Sequence, residues 1–487
     1  MATHPVNGDT RLALWLRVRE FAVPATMIET ATARRNSGDW AGACAAAGFD
    51  VDLDLRALAR SRGRDVRDRI RADLRRLAPD LLRWHLPRIA PDGLLRPGLT
   101  MPLAHYDAGD DSLCLVVRTP PAWADAGQRI SLALWDGTLN EPAAQGHPHP
   151  HPSRRFRFDL HRHLWDAHAT DELRTRSGAD KPVRDERPVG ADKPGGGERP
   201  MFGSELVRDE RFVRGSRVPG AEPLSFGGRF GELSWCAMER WADEARIVLG
   251  ARGLDGGTVV VRLDGRRRIA LHLAADGAVT VGRDAVGTRG SFVLPDAATW
   301  TLPDLALLRA GLVDAGRLHP LVAAALVPGH EAARPPHPDP ARQARLVDCR
   351  GARHRIGMVD GVLSPLDHSP DELRREELLV ALGGPPLPCL RVIDEAHRRP
   401  DCLSGVRERL DHGDIAGALA VVEELLGPEA VLREGPLRDE LESAARRRIT
   451  YGLYRAGLAG SRGGPVRTRR RRSLRDPRLG PRPADRR

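Results

Sequence analysis

Residues 258–281 read TVVVRLDGRRRIALHLAADGAVTV, and this stretch decides the fold class. Short apolar runs at 258–263, 268–273 and 278–281 are separated by Asp264-Gly265 and Asp276-Gly277. Asp-Gly between alternating runs is a strong hairpin signal, because both residues tolerate the positive φ of a tight turn. The stretch therefore predicts an antiparallel meander. Further strands are predicted at 112–118 (SLCLVVR), 129–135 (RISLALW) and 154–160 (RRFRFDL), each bounded by Pro, Gly or Asp. Two more are expected at 346–349 and 354–359.

Outward from this β-containing centre the period changes. Residues 11–98 read as helical. Val66, Ile70, Leu74 and Leu77 recur at helical spacing and mark one buried face. Pro79 fits the first turn of a following helix. The opposite face carries Arg64, Arg67, Arg71 and Arg75 with Asp65, Asp68 and Asp73 interleaved, which reads as a solvated, salt-bridged surface. Residues 302–327 read as helix broken at Pro320. Beyond 369, helices are predicted at 370–382, 388–397, 402–411, 414–426 and 436–456.

Between the two β-rich stretches the chain turns polar and repeats itself. Gly-Ala-Asp-Lys-Pro occurs at 178–182 and 190–194, and Val-Arg-Asp-Glu-Arg at 183–187 and 207–211. Such a segment buries too little apolar surface to offset its ordering entropy, so 170–223 is expected to be a disordered insertion. The expected architecture is α+β and multidomain: a helical region 1–98, a β-rich region 99–169, the insertion 170–223, an α/β region with the meander 224–365, a helical region 366–460 and a basic tail 461–487. One echo joins the two helical ends. Gly38-Asp39-Trp40-Ala41-Gly42-Ala43-Cys44-Ala45 matches Gly413-Asp414-Ile415-Ala416-Gly417-Ala418-Leu419-Ala420 at six of eight positions. Gly permits the turn and Asp caps the next helix, which is helical-hairpin chemistry.

Charge and cysteine usage narrow the function classes. Lysine occurs only at Lys181 and Lys193, so the basic residues are almost all Arg, a bias expected of a GC-rich genome. The net charge is +10, and residues 461–487 hold 11 Arg against 2 Asp, leaving the body nearly neutral. The N-terminus lacks a basic stretch followed by an apolar run, and no apolar run approaches the length of a membrane span. Cys44, Cys114, Cys236, Cys349, Cys389 and Cys402 form no CxxC pair, as expected of reduced thiols in the cytoplasm.

The chemistry-bearing motifs are sparse. His147, His149, His151, His161, His163 and His168 crowd one short stretch and are the candidate metal ligands, but no carboxylate or thiolate completes a set there. His330-Glu331-Ala332-Ala333-Arg334 lacks the second His of a zincin helix. Gly227-Gly228-Arg229-Phe230-Gly231 lacks the Lys-Ser/Thr of a phosphate loop. Cys349, followed by Arg350-Gly351, is the one candidate nucleophile, since Cys-Arg-Gly resembles the motif of caspase-like proteases. The preceding Gln-Ala of that motif is Val347-Asp348 here, and a buried, inert thiol at a strand end is the simpler reading. No cofactor is expected. The polyanion-binding candidates are Arg467, Arg469, Arg470, Arg471 and Arg472, with no aromatic residue among them to stack on bases.

Residues 85–106 (HLPRIAPDGLLRPGLTMPLAHY) and 349–402 resemble a group of actinobacterial proteins encoded beside MoxR-type AAA ATPases and von Willebrand A-domain proteins. The resemblance implies an accessory or client-recognition role with such a partner, and carries over no site residue. The expected function is a non-enzymatic interaction or adaptor protein of a cytoplasmic complex. One alternative is nonspecific nucleic-acid binding through the tail, and another is a cysteine hydrolase using Cys349. Deleting residues 461–487 removes nine of the ten net charges. Any affinity for RNA or DNA, measured by filter binding across a salt series, should then collapse, and in the intact protein it should fall steeply with salt. Tight, salt-resistant binding by the truncated protein would move the contact into the folded body.

Overall fold

The meander forms where Asp-Gly places it. A computed structural model describes residues 8–108, 111–138, 147–180, 235–264, 267–282, 291–330, 345–359, 362–398, 403–426, 432 and 434–458. Its strands, in chain order, are β1 (Phe49–Asp52), β2 (Arg88–Ile89), β3 (Leu94–Leu95), β4 (Thr100–Ala108), β5 (Asp111–Arg118), β6 (Ile130–Trp135), β7 (Gly257–Arg262), β8 (Arg268–Leu273), β9 (Val279–Gly282), β10 (Phe292–Val293), β11 (Arg345–Cys349), β12 (Ala352–Val359) and β13 (Val362–Pro365). The meander β7, β8 and β9 pairs antiparallel, and β10 adds parallel to β7. A second four-stranded sheet has the order β1-β6-β5-β4, a third is β11-β12-β13, and β2-β3 is a two-stranded ribbon. With helices on either side in sequence, the protein is mixed α+β.

The N-terminal helices follow their periodicity. Val66, Ile70, Leu74 and Leu77 are all buried, and Pro79 occupies the first turn of the Pro79–His85 helix. Arg64, Arg71 and Arg75 are exposed, and Arg67 pairs with Asp68. Asp73 departs from the expected solvated face. It is buried and accepts hydrogen bonds from the Tyr106 hydroxyl (2.6 Å), Arg76 and Arg162 (2.5 Å each). Burial opposes its charge, but the Arg162 and Tyr106 hydrogen bonds outweigh that and hold its pKa below the usual carboxylate range.

Four expectations need correction. Residues 11–98 are not all helical: Phe49–Asp52 forms β1, parallel to β6 with Phe49 opposite Ile130, and β2 and β3 form the ribbon. Four residues are too few for a period, so only the distant partner reveals the strand. Residues 154–160 contain a 3-10 turn, Phe158–Leu160, rather than a strand. Phe156 and Phe158 do alternate inward, but no neighbouring strand pairs with them. The 302–327 helix is three pieces, Pro303–Arg309, Ala315–Arg317 and Pro320–Leu326, and Pro320 opens the last rather than breaking it. The start of the expected insertion is structured. Glu172–Ser177 is helical, Leu173 is buried, and Arg176 forks onto Glu244 (3.0 and 2.6 Å). The rest of that expectation, 181–223, lies outside the described residues.

One buried core runs from Leu14 to Ala323 and joins the N-terminal helices, the β4–β6 sheet and the meander. Its polar centre shows how far apart in sequence the partners are. Arg19 donates to Asp304 (3.0 Å), the Trp84 indole donates to the same carboxylate (2.6 Å), and the Arg19 guanidinium lies over the Trp84 ring.

The C-terminal helices, Pro370–Ala381, Pro388–Arg398, Leu403–His412, Ile415–Leu426 and Pro436–Arg455, lie where the sequence predicts them. The last three enclose their own small core of Val406, Leu410, Ala418, Val422, Leu426 and Leu437. The sequence echo is a shared turn: Asp39 and Asp414 accept from Gly42 and Gly417 N–H, and each is gripped by the Arg five residues earlier. Gly413 has φ +87, and a Cβ there would overlap the Gly127 carbonyl, so this turn also sets how closely the helices approach the body. Tyr451 donates to Asp50 (2.7 Å), and Arg455 pairs with Asp50 and Asp52 on β1. No helix among the described residues is long and apolar enough to cross a membrane.

Arg83 ties these parts together from a buried position. Its guanidinium donates to the carbonyls of Ala22 (3.0 Å), Gln128 (2.8 Å), Ala47 (3.4 Å) and His412 (2.9 Å). Replacing Arg83 by Met removes the donor for four backbone carbonyls. The variant should lose ~3 kcal/mol or more of unfolding free energy in a denaturant titration. Arg71→Met, on the exposed face, should change it by less than about 0.5 kcal/mol.

Candidate metal centre

Four side chains that the sequence scatters over 349–389 converge: Cys349, His354, His368 and Cys389. The hairpin β11–β12 supplies the first two. Its turn is Arg350-Gly351, both with positive φ (53° and 84°), the geometry of a two-residue hairpin turn. Cys349 pairs with Ala352 and Val347 with His354, so the two-residue period puts Cys349 and His354 on one face. β13 then pairs with β12, and the loop after it is turned back by Asp367. That carboxylate accepts from the Arg355 backbone (2.6 Å) and guanidinium (2.7 Å). This folds His368 over His354, with ring centroids 4.4 Å apart and nearly perpendicular.

Helix starts place the remaining groups. Ser369 caps the Pro370–Ala381 helix and forms a reciprocal capping box with Glu372, which fixes the backbone beside His368. Cys389 lies in the first turn of the Pro388–Arg398 helix. His354 Nδ1 and His368 Nε2 lie 2.8 Å apart, Cys349 Sγ is 3.7 Å from His368 Nε2, and Cys389 Sγ is 4.0 Å from His354 Nδ1. All four donor atoms fall within 4.8 Å of one another. Both cysteines are fully buried in a small core with Ile356, Leu387 and Ile393. Burial, reinforced by neighbouring Cys349, pushes the Cys389 thiol up to about 11. The Glu372 carboxylate stands 3.9 Å from His368 Nδ1, on the side away from the cluster's donor atom.

This arrangement bears directly on Cys349 as a nucleophile. A cysteine hydrolase needs an accessible thiolate, a base beside it and a third group orienting that base. Cys349 has an imidazole at 3.7 Å, but its sulfur is buried and a second thiol and a second imidazole crowd the same space. A second Cys–His–Asp grouping fails differently. His105 Nε2 faces both Cys114 (4.0 Å) and Asp159 (3.4 Å), leaving no separate nitrogen for an orienting acid. Burial pushes the Cys114 thiol up to about 12.

The histidines singled out by density in sequence are dispersed. His147 is buried against the Thr119 carbonyl (3.0 Å), and His151 meets Trp135 edge-on. His149 and His168 are exposed. His161 donates from Nδ1 to the Arg157 carbonyl (2.9 Å), and buried His163 lies beside it, its pKa driven well below the ordinary value by burial. The six do not gather into a ligand group; among the described residues the Cys349 cluster alone brings three or more such donors together. Arg467, Arg469, Arg470, Arg471 and Arg472 lie outside the described residues. The ligand spacing, Cys-x4-His-x13-His-x20-Cys, has no paired CxxC or HxxxH to advertise it. Its one local signal is two Cys and two His in a segment predicted to hold two strands followed by helices.

Compared with models of protein families, with curated proteins and with solved structures, the chain matches none.

The buried sulfurs make a chemical prediction. Iodoacetamide at neutral pH should leave Cys349 and Cys389 unmodified in the native protein and label both after denaturation, as read by peptide mass spectrometry. Rapid native-state labelling of Cys349 alone would reveal an accessible thiolate and favour the hydrolase.

Proposed function

We propose that this chain is a non-enzymatic interaction protein of a cytoplasmic bacterial complex. The observation that carries this reading is the closure of the Cys349, His354, His368 and Cys389 cluster. All four groups come from the protein and both sulfurs are buried, the arrangement of a closed rather than a catalytic site. Two cavities among the described residues agree with it. One beside His85 and Phe156 and one beside Arg118 and Tyr451 each have room for about one water molecule, far below what a small-molecule substrate needs.

The surface supports a protein partner. Exposed apolar side chains gather at the end of the Pro370–Ala381 helix, where Leu378, Leu379, Val380 and Leu382 all face solvent. The resemblance of 85–106 and 349–402 suggests an AAA ATPase or a von Willebrand A-domain protein as that partner. Affinity purification of the full chain from its host, with Leu378→Asp/Leu382→Asp as the paired variant, tests the reading. A stoichiometric protein partner recovered with the native chain and lost with the variant is the expected result. Co-purifying nucleic acid that disappears with residues 461–487, and no protein partner, would overturn it in favour of polyanion binding.

A further inference from the structure

We propose that Cys349, His354, His368 and Cys389 bind one Zn2+ ion as a closed structural centre that organises residues 345–398. The inference stands on the ligand geometry and does not depend on which partner the protein meets.

The donor set selects the metal. Two sulfurs and two imidazole nitrogens suit a borderline-soft ion and offer no oxygen for Mg2+ or Ca2+. Four protein ligands with no place for water are the pattern of structural rather than catalytic zinc. The charges also fit a buried position: two thiolates neutralise Zn2+, and two neutral imidazoles add nothing. Binding displaces one proton from each thiol, so the centre forms as Zn2+ plus two thiols and releases two protons.

The distances fit the size of the ion. Zn–S bonds of about 2.3 Å and Zn–N bonds of about 2.0–2.1 Å in a tetrahedron give edges of about 3.3 Å for N···N and about 3.6 Å for S···N. The S···S edge comes to about 3.8 Å on the same bond lengths. The corresponding separations here are 2.8 Å for the two nitrogens and 3.7 and 4.0 Å for the two sulfur–nitrogen contacts. Every remaining pair lies within 4.8 Å. Opening the imidazole pair by about half an ångström, with the remaining pairs drawn in to the edges above, gives the tetrahedron.

The surroundings fit as well. His354 coordinates through Nδ1 and His368 through Nε2, which leaves the proton of His368 on Nδ1. That nitrogen faces the Glu372 carboxylate at 3.9 Å, the outer partner that orients a metal-bound imidazole. Glu372 is itself held by the capping box at Ser369, so ligand orientation and the start of the Pro370–Ala381 helix are one arrangement. The apolar core around the site is Ile356, Leu387 and Ile393 besides the two cysteines, with Val347, Leu363, Leu390 and Val392 half-buried against it, a small core for three strands and two helices that a cross-link would reinforce. Zinc closes the 20-residue connection from His368 to Cys389 and pins it to the hairpin.

The test uses the full-length protein, purified without chelator and analysed by plasma mass spectrometry and by Co2+ replacement. One zinc per chain is expected, with the Co2+ form showing sulfur-to-cobalt charge transfer and the intense visible bands of tetrahedral coordination. Cys349→Ser/Cys389→Ser should lose both signals, while His147→Ala/His149→Ala/His151→Ala should keep them. Because the cysteine variant can unfold locally, the native protein is also treated with a strong zinc chelator. Trypsin should then cut within 345–398 before it cuts within 8–108, and added Zn2+ should restore protection. Zinc retained by the cysteine variant, zinc lost only from the 147–151 variant, or a native protein that takes up neither zinc nor cobalt would overturn the proposal.

Discussion

A single buried guanidinium holds the separate parts of this chain in register. Among the described residues Arg83 has no carboxylate within hydrogen-bonding reach, and each of its hydrogen bonds goes to a backbone carbonyl. Those carbonyls belong to the N-terminal helices, to the turn before β1, to the loop before β6 and to the turn between the last helical pairs. Burial, with Arg129 adding repulsion, brings the Arg83 pKa down to about 10, which still leaves it charged at neutral pH. A buried charge satisfied only by dipoles tolerates little displacement, since each lost hydrogen bond leaves part of the desolvation cost uncompensated. Arg88, buried beside it, donates to the Arg83 carbonyl (2.7 Å) and to Gly93 (2.9 Å), so the backbone of this residue is fixed as well as its side chain.

Around that centre the protein uses arginine for tasks that other proteins give to several residue types. Arg19 reaches a buried aspartate across the core, Arg162 and Arg76 clamp Asp73, and Arg455 fastens the last helix to β1. The planar fork of Arg suits such bridging, because one side chain can satisfy several acceptors at once. Part of the Arg-rich composition thus serves the fold: Arg11, Arg19, Arg83, Arg88, Arg118 and Arg240 are buried.

The C-terminal part rests on a different balance. The main core is continuous over three hundred residues of chain, whereas the core around Cys349 has five buried members. A body of the first kind draws chiefly on apolar burial. In the second, the Cys2His2 cluster brings four donors together where the proposed zinc would supply a cross-link. The two are joined through Leu363, which packs against both the Cys349 core and the core of the last three helices, and those helices carry the Arg83 contact.

Much of the local structure was legible in the sequence. The Asp-Gly turns of the meander, the Val66–Leu77 stripe, the first-turn prolines and the five C-terminal helices are set by interactions within a few residues of each other. Hairpin chemistry and helical period report such interactions directly. The matching Gly-Asp turns at 38 and 413 were legible for the same reason. Tertiary structure alone decided the rest. β1 exists because β6 lies beside it, Asp73 is buried because Tyr106 and Arg162 reach it, and the dense histidine stretch is dispersed because His147, His161 and His163 are buried against different partners while His149, His151 and His168 are exposed. Cys349, His354, His368 and Cys389 carry no local signature. Their meeting depends on a hairpin, a loop turned by Asp367 and a helix start arriving at one point, and only the folded chain brings those three together.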